Sequence, residues 1–344
     1  MSFNELNSVE HYIIHQLSGV NLNSKQANEP QAGYGAQWVY RCSDEIQRGV
    51  NEVLVESELK EALIRLNPDI AAKPELADEV IYKLRAVLIA VNQVGLVKAN
   101  EEFFKWMTGE KTMPFGENNR YVPVRLVDFE DLSNNTYVFT NQYRIHHRET
   151  KIPDIVMMIN GIPVVVGEAK TPIRPSVSWL DGAYEVHDIY ENAVPQLFVP
   201  NILSFATEGK ELYYGAVRCP LEFWAPWRLE NDEDAIAKRL GLGEVGKELS
   251  DLLSPARLLD IMRNFSLFST DKKKRRIKII PRFQQYEGAN KIVERVKEGR
   301  VKKGLIWHFQ GSGKSFLMVF AAQKLRREPD LKSPTVLIVV DRVD

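Results

Sequence analysis

Apolar positions in residues 5–18 recur at helical spacing and predict an amphipathic helix, followed by an Asn-, Gly- and Gln-rich loop over residues 20–37. Helical periodicity returns from Glu52 to Leu66 and should stop at Asn67-Pro68, since a residue before proline is pushed out of the helical region. Two more helices are predicted over Leu76–Val91 and Asn100–Thr108. The texture then changes. Val122–Phe129 and Thr136–His146 read as strands around an Asn134-Asn135 turn. Asp154–Ile159 and Ile162–Glu168 read as apolar strands joined across Asn160-Gly161, a strong hairpin signal.

Helical character follows over Trp179–Glu191, then strands over Leu203–Thr207 and Leu212–Val217. Asp232–Leu240, Glu244–Leu253 and Pro255–Phe265 read as helices. A lysine-rich stretch, Lys272–Lys278, leads into a strand–loop–helix–strand unit running to Asp344. These elements predict an α/β protein with a mixed sheet flanked by helices over residues 1–265, and the start of a second α/β domain over residues 266–344. One β-α-β unit cannot cover both faces of a parallel sheet, so irregular packing or mobility is expected after about residue 300.

A formal net charge of −1 advertises no nucleic-acid partner, but the charge is uneven: Asp271–Lys303 carries 13 Lys and Arg against 4 Asp and Glu. Its core, Lys272-Lys273-Lys274-Arg275-Arg276, suits phosphate contacts and a solvated linker equally well. The two cysteines, Cys42 and Cys219, make neither a disulfide framework nor a zinc motif and fit a reducing, cytoplasmic setting. No signal peptide is expected, and apolar runs such as Ile162–Val166 are strand-length, so no membrane partner is expected.

Two clusters carry chemistry. In the first, Asp154 opens one hairpin strand while Glu168 and Lys170 close the next. Two carboxylates can hold Mg²⁺ at a phosphodiester, and a lysine two residues on shares the strand face and can stabilise charge there. In a plain two-residue hairpin Asp154 would oppose Gly167, and Glu168 would point to the other face. Shared metal binding requires a one-residue offset, and a type I turn ending in a bulge at a positive-φ Gly161 would supply it. Taken alone, so short a pattern is commoner as a buried hairpin with a surface ion pair between Glu168 and Lys170. Glu10, on the first helix, reads as a surface glutamate, with a place as a further carboxylate at the metal as the second reading.

In the second cluster an apolar strand, Leu305–Phe309, runs into Gln310-Gly311-Ser312-Gly313-Lys314-Ser315 and then a helix. Small residues there let backbone N–H groups face phosphates; Lys314 would reach the β- and γ-phosphates of ATP, and Ser315 would ligate Mg²⁺. His308 stands where the general pattern has its first glycine. Upstream, Gln285 in Pro281-Arg282-Phe283-Gln284-Gln285-Tyr286 could read an adenine edge, although a polar helix start is the commoner explanation. Asp341 reads either as an acid of the ATPase site or as the end of a strand before a DNA-contacting loop. The second is preferred, with no DExx box in the chain and hence no ATP hydrolysis expected of it.

With both clusters in order, the chain resembles the restriction (R, HsdR) subunit of type I restriction–modification enzymes. The resemblance runs through Asn67-Pro68, VRLVDFEDLSNNTYVFTNQYRIHH, PDIVMMINGIPVVVGEAKTP, VPQLFVPN, IIPRFQQY and HFQGSGKS, where His308 is the usual residue. It implies a PD-(D/E)xK nuclease fold with Asp154, Glu168 and Lys170 catalytic and Mg²⁺ as metal. It also implies a truncated RecA-like superfamily 2 translocase, with ATP held by Gln285 and Gly311–Ser315. Implied partners are double-stranded DNA and the methyltransferase (M) and specificity (S) subunits. The family's Q-x-x-x-Y motif is met at Tyr190, implying a role for it at the site, but Val186 stands at the glutamine position. Two further readings stay open: a helicase–nuclease of DNA repair or phage defence, and a fragment that docks DNA or partners without cutting.

Overall fold

The computed structural model describes residues 9–22, 38–171, 176–228 and 244–339. Much of the predicted 20–37 loop, the start of the first helix, the Asp232–Leu240 helix and Asp341 lie outside the described residues. The sheet at the centre has seven strands lying side by side in chain order: β1 (Val39–Tyr40), β2 (Tyr137–Asn141), β3 (Ile155–Ile159), β4 (Ile162–Ala169), β5 (Leu203–Thr207), β6 (Leu212–Gly215) and β7 (Ala225–Pro226). It is mixed: β1–β2 and β4–β5 are parallel and the other neighbours antiparallel. Every residue of β3, β4 and β5 is buried, which is why these strands read as continuous apolar runs rather than alternating ones.

Helices cover the sheet. Periodicity marks α1 (His11–Ser18), α2 (Glu56–Leu66), α4 (Leu76–Val94) and α5 (Leu96–Met107); α3 (Pro68–Ala72), which it does not mark, is a short helix starting at the proline itself. The α2 helix begins four residues later than predicted because the Val55 N–H is held by the Gly161 carbonyl, 2.8 Å away, at the hairpin turn. Parallel strands need a crossover. Between β4 and β5 it is made by α6 (Trp179–Tyr184), a π turn (Glu185–Tyr190) and α7 (Glu191–Ala193). Beyond the sheet come α8 (Glu244–Leu252), α9 (Pro255–Asn264), a ribbon of β8 (Leu267–Thr270) and β9 (Arg276–Ile279), α10 (Phe283–Glu298) and α11 (Lys314–Arg327).

Four expected strands are corrected. Val122–Phe129 is strand only at Val122–Pro123, because side-chain amides take over its backbone groups. Asn67 bonds both the N–H and the C=O of Arg125, and Asn135 does the same to Asp128. The Thr136–His146 strand is broken after Asn141, where Gln142 adopts a left-handed φ of 49°. Leu305–Phe309 and Val336–Val339 form no strand. A strand needs a partner for its backbone groups, and no described residue supplies one. Leu305, Trp307, Leu337 and Val339 are accordingly exposed. The basic run is a ribbon tip rather than a linker. Asp271 caps the turn by accepting from the Lys273 and Arg275 N–H groups, and Arg276 pairs with Glu101 on α5.

Candidate active site

Asp154 and Glu168 come together through the hairpin. Asn160 (φ 52°) and Gly161 (φ 73°) are both left-handed, the signature of a type I′ two-residue turn. The strands therefore start in plain register, Ile159 opposite Ile162 and Met158 opposite Pro163. Val164 is then left unpaired, and the register continues as Met157 opposite Val165 and Ile155 opposite Gly167. The predicted one-residue offset and the positive φ of Gly161 are present. The bulge itself lies within β4, beside a proline that has no N–H to give the ladder, and not at the turn. Asp154 thus lies opposite Glu168, and its Oδ2 accepts the Ala169 N–H at 2.9 Å.

Two glycines fit the surroundings to this geometry. A β-carbon on Gly167 would lie 2.1 Å from the Phe205 ring, so only glycine lets β5 close over β4 here. A β-carbon on Gly182 would lie 3.3 Å from Glu168 Cγ, so α6 rests directly on that glutamate.

The polar groups form a chain. Lys170 Nζ donates to Glu168 Oε1 at 2.8 Å and to Glu185 Oε2 at 2.5 Å. The Tyr190 hydroxyl donates to Glu185 Oε1 at 2.9 Å. On the other side, Gln142 Nε2 donates to Asp154 Oδ1 at 3.1 Å and to Glu10 Oε1 at 2.9 Å. Glu10 is 1% exposed, so it is not a surface glutamate; it lies behind Asp154, bridged by Gln142. Glu168 is 3% exposed, and its Oε2 is buried without a hydrogen-bond partner.

Burial, reinforced by the neighbouring Asp154 charge, holds the Glu168 carboxyl well above the usual range. Burial raises Asp154 too, against the Ala169 N–H and Lys170. Burial pulls the Lys170 ammonium down, but the Glu168 and Glu185 carboxylates outweigh it and raise its pKa. Burial would raise Glu185, but the Lys170 and Tyr190 hydrogen bonds hold it below its ordinary value. Burial and the nearby carboxylates keep Tyr190 protonated. A buried carboxylate pair facing one ammonium is short of positive charge, and a divalent cation at Asp154 and the unpartnered Glu168 oxygen would satisfy it. Among the described residues no group of three His, Cys, Asp or Glu is arranged to hold a metal.

Sequence reasoning missed Gln142 and Glu185. Gln142 carries no sequence signal, since it acts through a left-handed turn at the end of β2. Glu185 is spaced five residues before Tyr190, outside the four-residue rule of an α-helix.

The second cluster lies at the start of α11. Gly311 (φ 86°) and Gly313 (φ 79°) are left-handed, as a phosphate-type loop requires. Lys314 Nζ donates to the carbonyls of His308 and Phe309 at 3.2 and 3.0 Å. Ser312 is buried with its Oγ unpartnered, and Ser315 is exposed. Gln285 lies against the loop, its Nε2 donating to Ser312 O at 3.1 Å and Gly313 O at 3.2 Å, while its Oε1 accepts the Arg282 N–H. Both amide hydrogens of Gln285 are therefore spent on the loop. Lys324 of α11 pairs with Asp260 of α9, and Phe320 packs on Phe265, so this loop–helix unit is fixed to α9 and the residue that follows it.

Each of the two clusters falls within the span of a different known family. The family described as type I restriction enzyme R protein N terminus matches residues 3–223, and the SWI2/SNF2 ATPase family matches residues 284–344. The chain is 33% identical over 325 residues to the type I restriction enzyme HindI endonuclease subunit of Haemophilus influenzae, covering 89% of this chain and 30% of that one. Two relatives from Methanocaldococcus jannaschii are named as putative type I restriction enzyme endonuclease subunits. MjaVIIIP is 32% identical over 64% of this chain and 21% of its own length, and MjaIXP 24% identical over 99% and 33%. The chain thus spans a third or less of the length of these relatives. The match over residues 3–223 makes the chain a member of the type I restriction enzyme R protein N-terminus family.

Proposed function

We propose that this chain is the cutting end of a type I restriction subunit. In this reading the sheet domain, residues 1–265, is a PD-(D/E)xK nuclease that hydrolyses DNA phosphodiesters with Mg²⁺. Residues 266–344 open a RecA-like superfamily 2 motor that uses ATP. The observation that carries the reading is the bulge-set pairing of Asp154 with Glu168, with a buried unpartnered oxygen on Glu168 and Lys170 on the same strand face.

Asp154 and Glu168 would hold the Mg²⁺, which commonly takes one or two carboxylates and fills its remaining positions with water and substrate phosphate. The metal would supply Lewis acidity at the scissile phosphate. Lys170 keeps its proton through its two carboxylate partners and so presents a fixed positive charge to a phosphate oxygen. Tyr190, also held protonated, donates its one hydroxyl hydrogen to Glu185 and would have to release it to donate to the DNA backbone.

ATP would be held by Gly311, Ser312, Gly313, Lys314 and Ser315, with Ser315 on its Mg²⁺. Lys314 would exchange the His308 and Phe309 carbonyls for phosphate oxygens, and an adenine-reading Gln285 would have to release Ser312 and Gly313. Double-stranded DNA and the methyltransferase and specificity subunits are the proposed partners, and the cytoplasm the proposed location. No described helix is long and apolar enough to cross a membrane.

The test is nicking of supercoiled plasmid by the chain. Cleavage that requires Mg²⁺ or Mn²⁺ and disappears in Asp154→Ala is expected. Metal-independent cleavage, or cleavage unchanged in the variant, would sink the assignment.

A further inference from the structure

The crossover helix contains a defect with a chemical consequence. Between α6 and α7 the backbone widens into a π turn over Glu185–Tyr190. In an α-helix, side chains four residues apart stack on one face; one widened turn brings residues five apart into line instead. Glu185 and Tyr190 are five apart and hydrogen-bonded at 2.9 Å. The residue four before Tyr190 is Val186, fully buried in the apolar core. The widened turn therefore gives position 186 to packing and position 185 to the site.

Glu185 uses both of its oxygens there. Oε2 accepts from Lys170 Nζ at 2.5 Å and Oε1 from the Tyr190 hydroxyl at 2.9 Å. Lys170 in turn reaches Glu168 Oε1 at 2.8 Å. One carboxylate thus ties the ammonium on the strand to the phenol on the helix, and it is their only shared partner among the contacts described.

We infer that Glu185 is a positioning residue of the cleavage site, fixing Lys170 and Tyr190 in one geometry by way of the π turn. The inference rests on the nuclease reading of Asp154, Glu168 and Lys170. The absence of a glutamine at position 186 then leaves the site complete, because its helix partner for Tyr190 is Glu185. Position 185 should accept any side chain that can hydrogen-bond to both groups, and reject one that cannot.

The experiment compares plasmid cleavage by the full chain with Glu185→Ala, Glu185→Gln, Tyr190→Phe and the Glu185→Ala/Tyr190→Phe double variant. Calorimetric Mn²⁺ titrations and thermal unfolding are measured on each. Loss of alignment without loss of the metal ligands should lower kcat in Glu185→Ala by ~100-fold while KM for DNA and Mn²⁺ affinity stay within about fivefold. Glu185→Gln, which keeps two hydrogen-bonding atoms, should recover to within about tenfold of the parent, and the double variant should be little worse than Glu185→Ala because the two side chains act as a unit.

Parent-like kcat in Glu185→Ala overturns the positioning role while leaving the nuclease reading intact. So does Glu185→Gln as impaired as Glu185→Ala, which would make the charge, and not the hydrogen bonds, the contribution of residue 185. A parent chain that cleaves nothing with metal overturns the nuclease reading and takes this role with it.

Discussion

Asp154 faces Glu168 across the hairpin because Val164 has no partner in β3: the strand pairing shifts by one residue between Met158–Pro163 and Met157–Val165. Without that shift Asp154 would oppose Gly167 and the two carboxylates would lie on opposite faces of the sheet. The turn upstream must hold the register against which the shift is made.

Gly161 is therefore expected to be intolerant. It sits at φ 73°, and a β-carbon there would lie 2.5 Å from the Val55 carbonyl oxygen. Gly161→Ala combines a left-handed strain with a backbone clash and should lower stability by about 2–4 kcal/mol. Urea unfolding of the two proteins measures this. A variant within a few tenths of a kcal/mol of the parent would mean that the turn is free to rebuild.

Gln142 is expected to tune the site from behind. It bonds Asp154 and Glu10 with one amide nitrogen. Gln142→Leu should leave the fold in place and weaken Mn²⁺ binding by about tenfold, the usual scale for loss of a group that orients a metal ligand. Unchanged affinity would reduce the Glu10–Gln142 pair to a structural contact.

The stability of the chain should also depend on pH through a buried group away from the metal site. Glu191 is buried, and desolvation pushes its carboxyl up to about 8, against the pull of Arg218. In the unfolded chain it titrates near its ordinary value of about 4.3. Between these values the folded state binds the extra proton, so the stabilising contribution is full below the unfolded value and is lost as pH rises towards 8. Glu191→Gln should flatten the fall in Tm between about pH 5 and pH 8. A decline as steep as the parent's would place the titration elsewhere. Lys278, whose ammonium burial holds well below its usual range, works in the opposite sense, because the unfolded chain binds the extra proton there.

The hairpin was legible because its signals are local. Asn160-Gly161 names the turn, unbroken apolar runs name buried strands, and the chemistry of Asp154 and Glu168 demands the offset. The position of the bulge was not legible, since it is decided by which rung of the ladder Pro163 interrupts. Glu10 read as a surface residue because its burial depends on Asn141 and Gln142, which lie more than a hundred residues away in the chain. Glu185 escaped a reading tied to four-residue spacing. Leu305–Phe309 and Val336–Val339 have the right composition for strands, but a strand is realised only when another strand accepts its backbone bonds, and composition does not say whether one is there.

The central claim is that Asp154 and Glu168 form one shared metal site. It is tested most directly by calorimetric titration of Mg²⁺ or Mn²⁺ into the parent chain, Asp154→Ala and Glu168→Ala, with and without DNA. The account predicts binding by the parent that is lost in both variants. Binding that survives in either variant, or a parent that binds no metal even with DNA present, would contradict it.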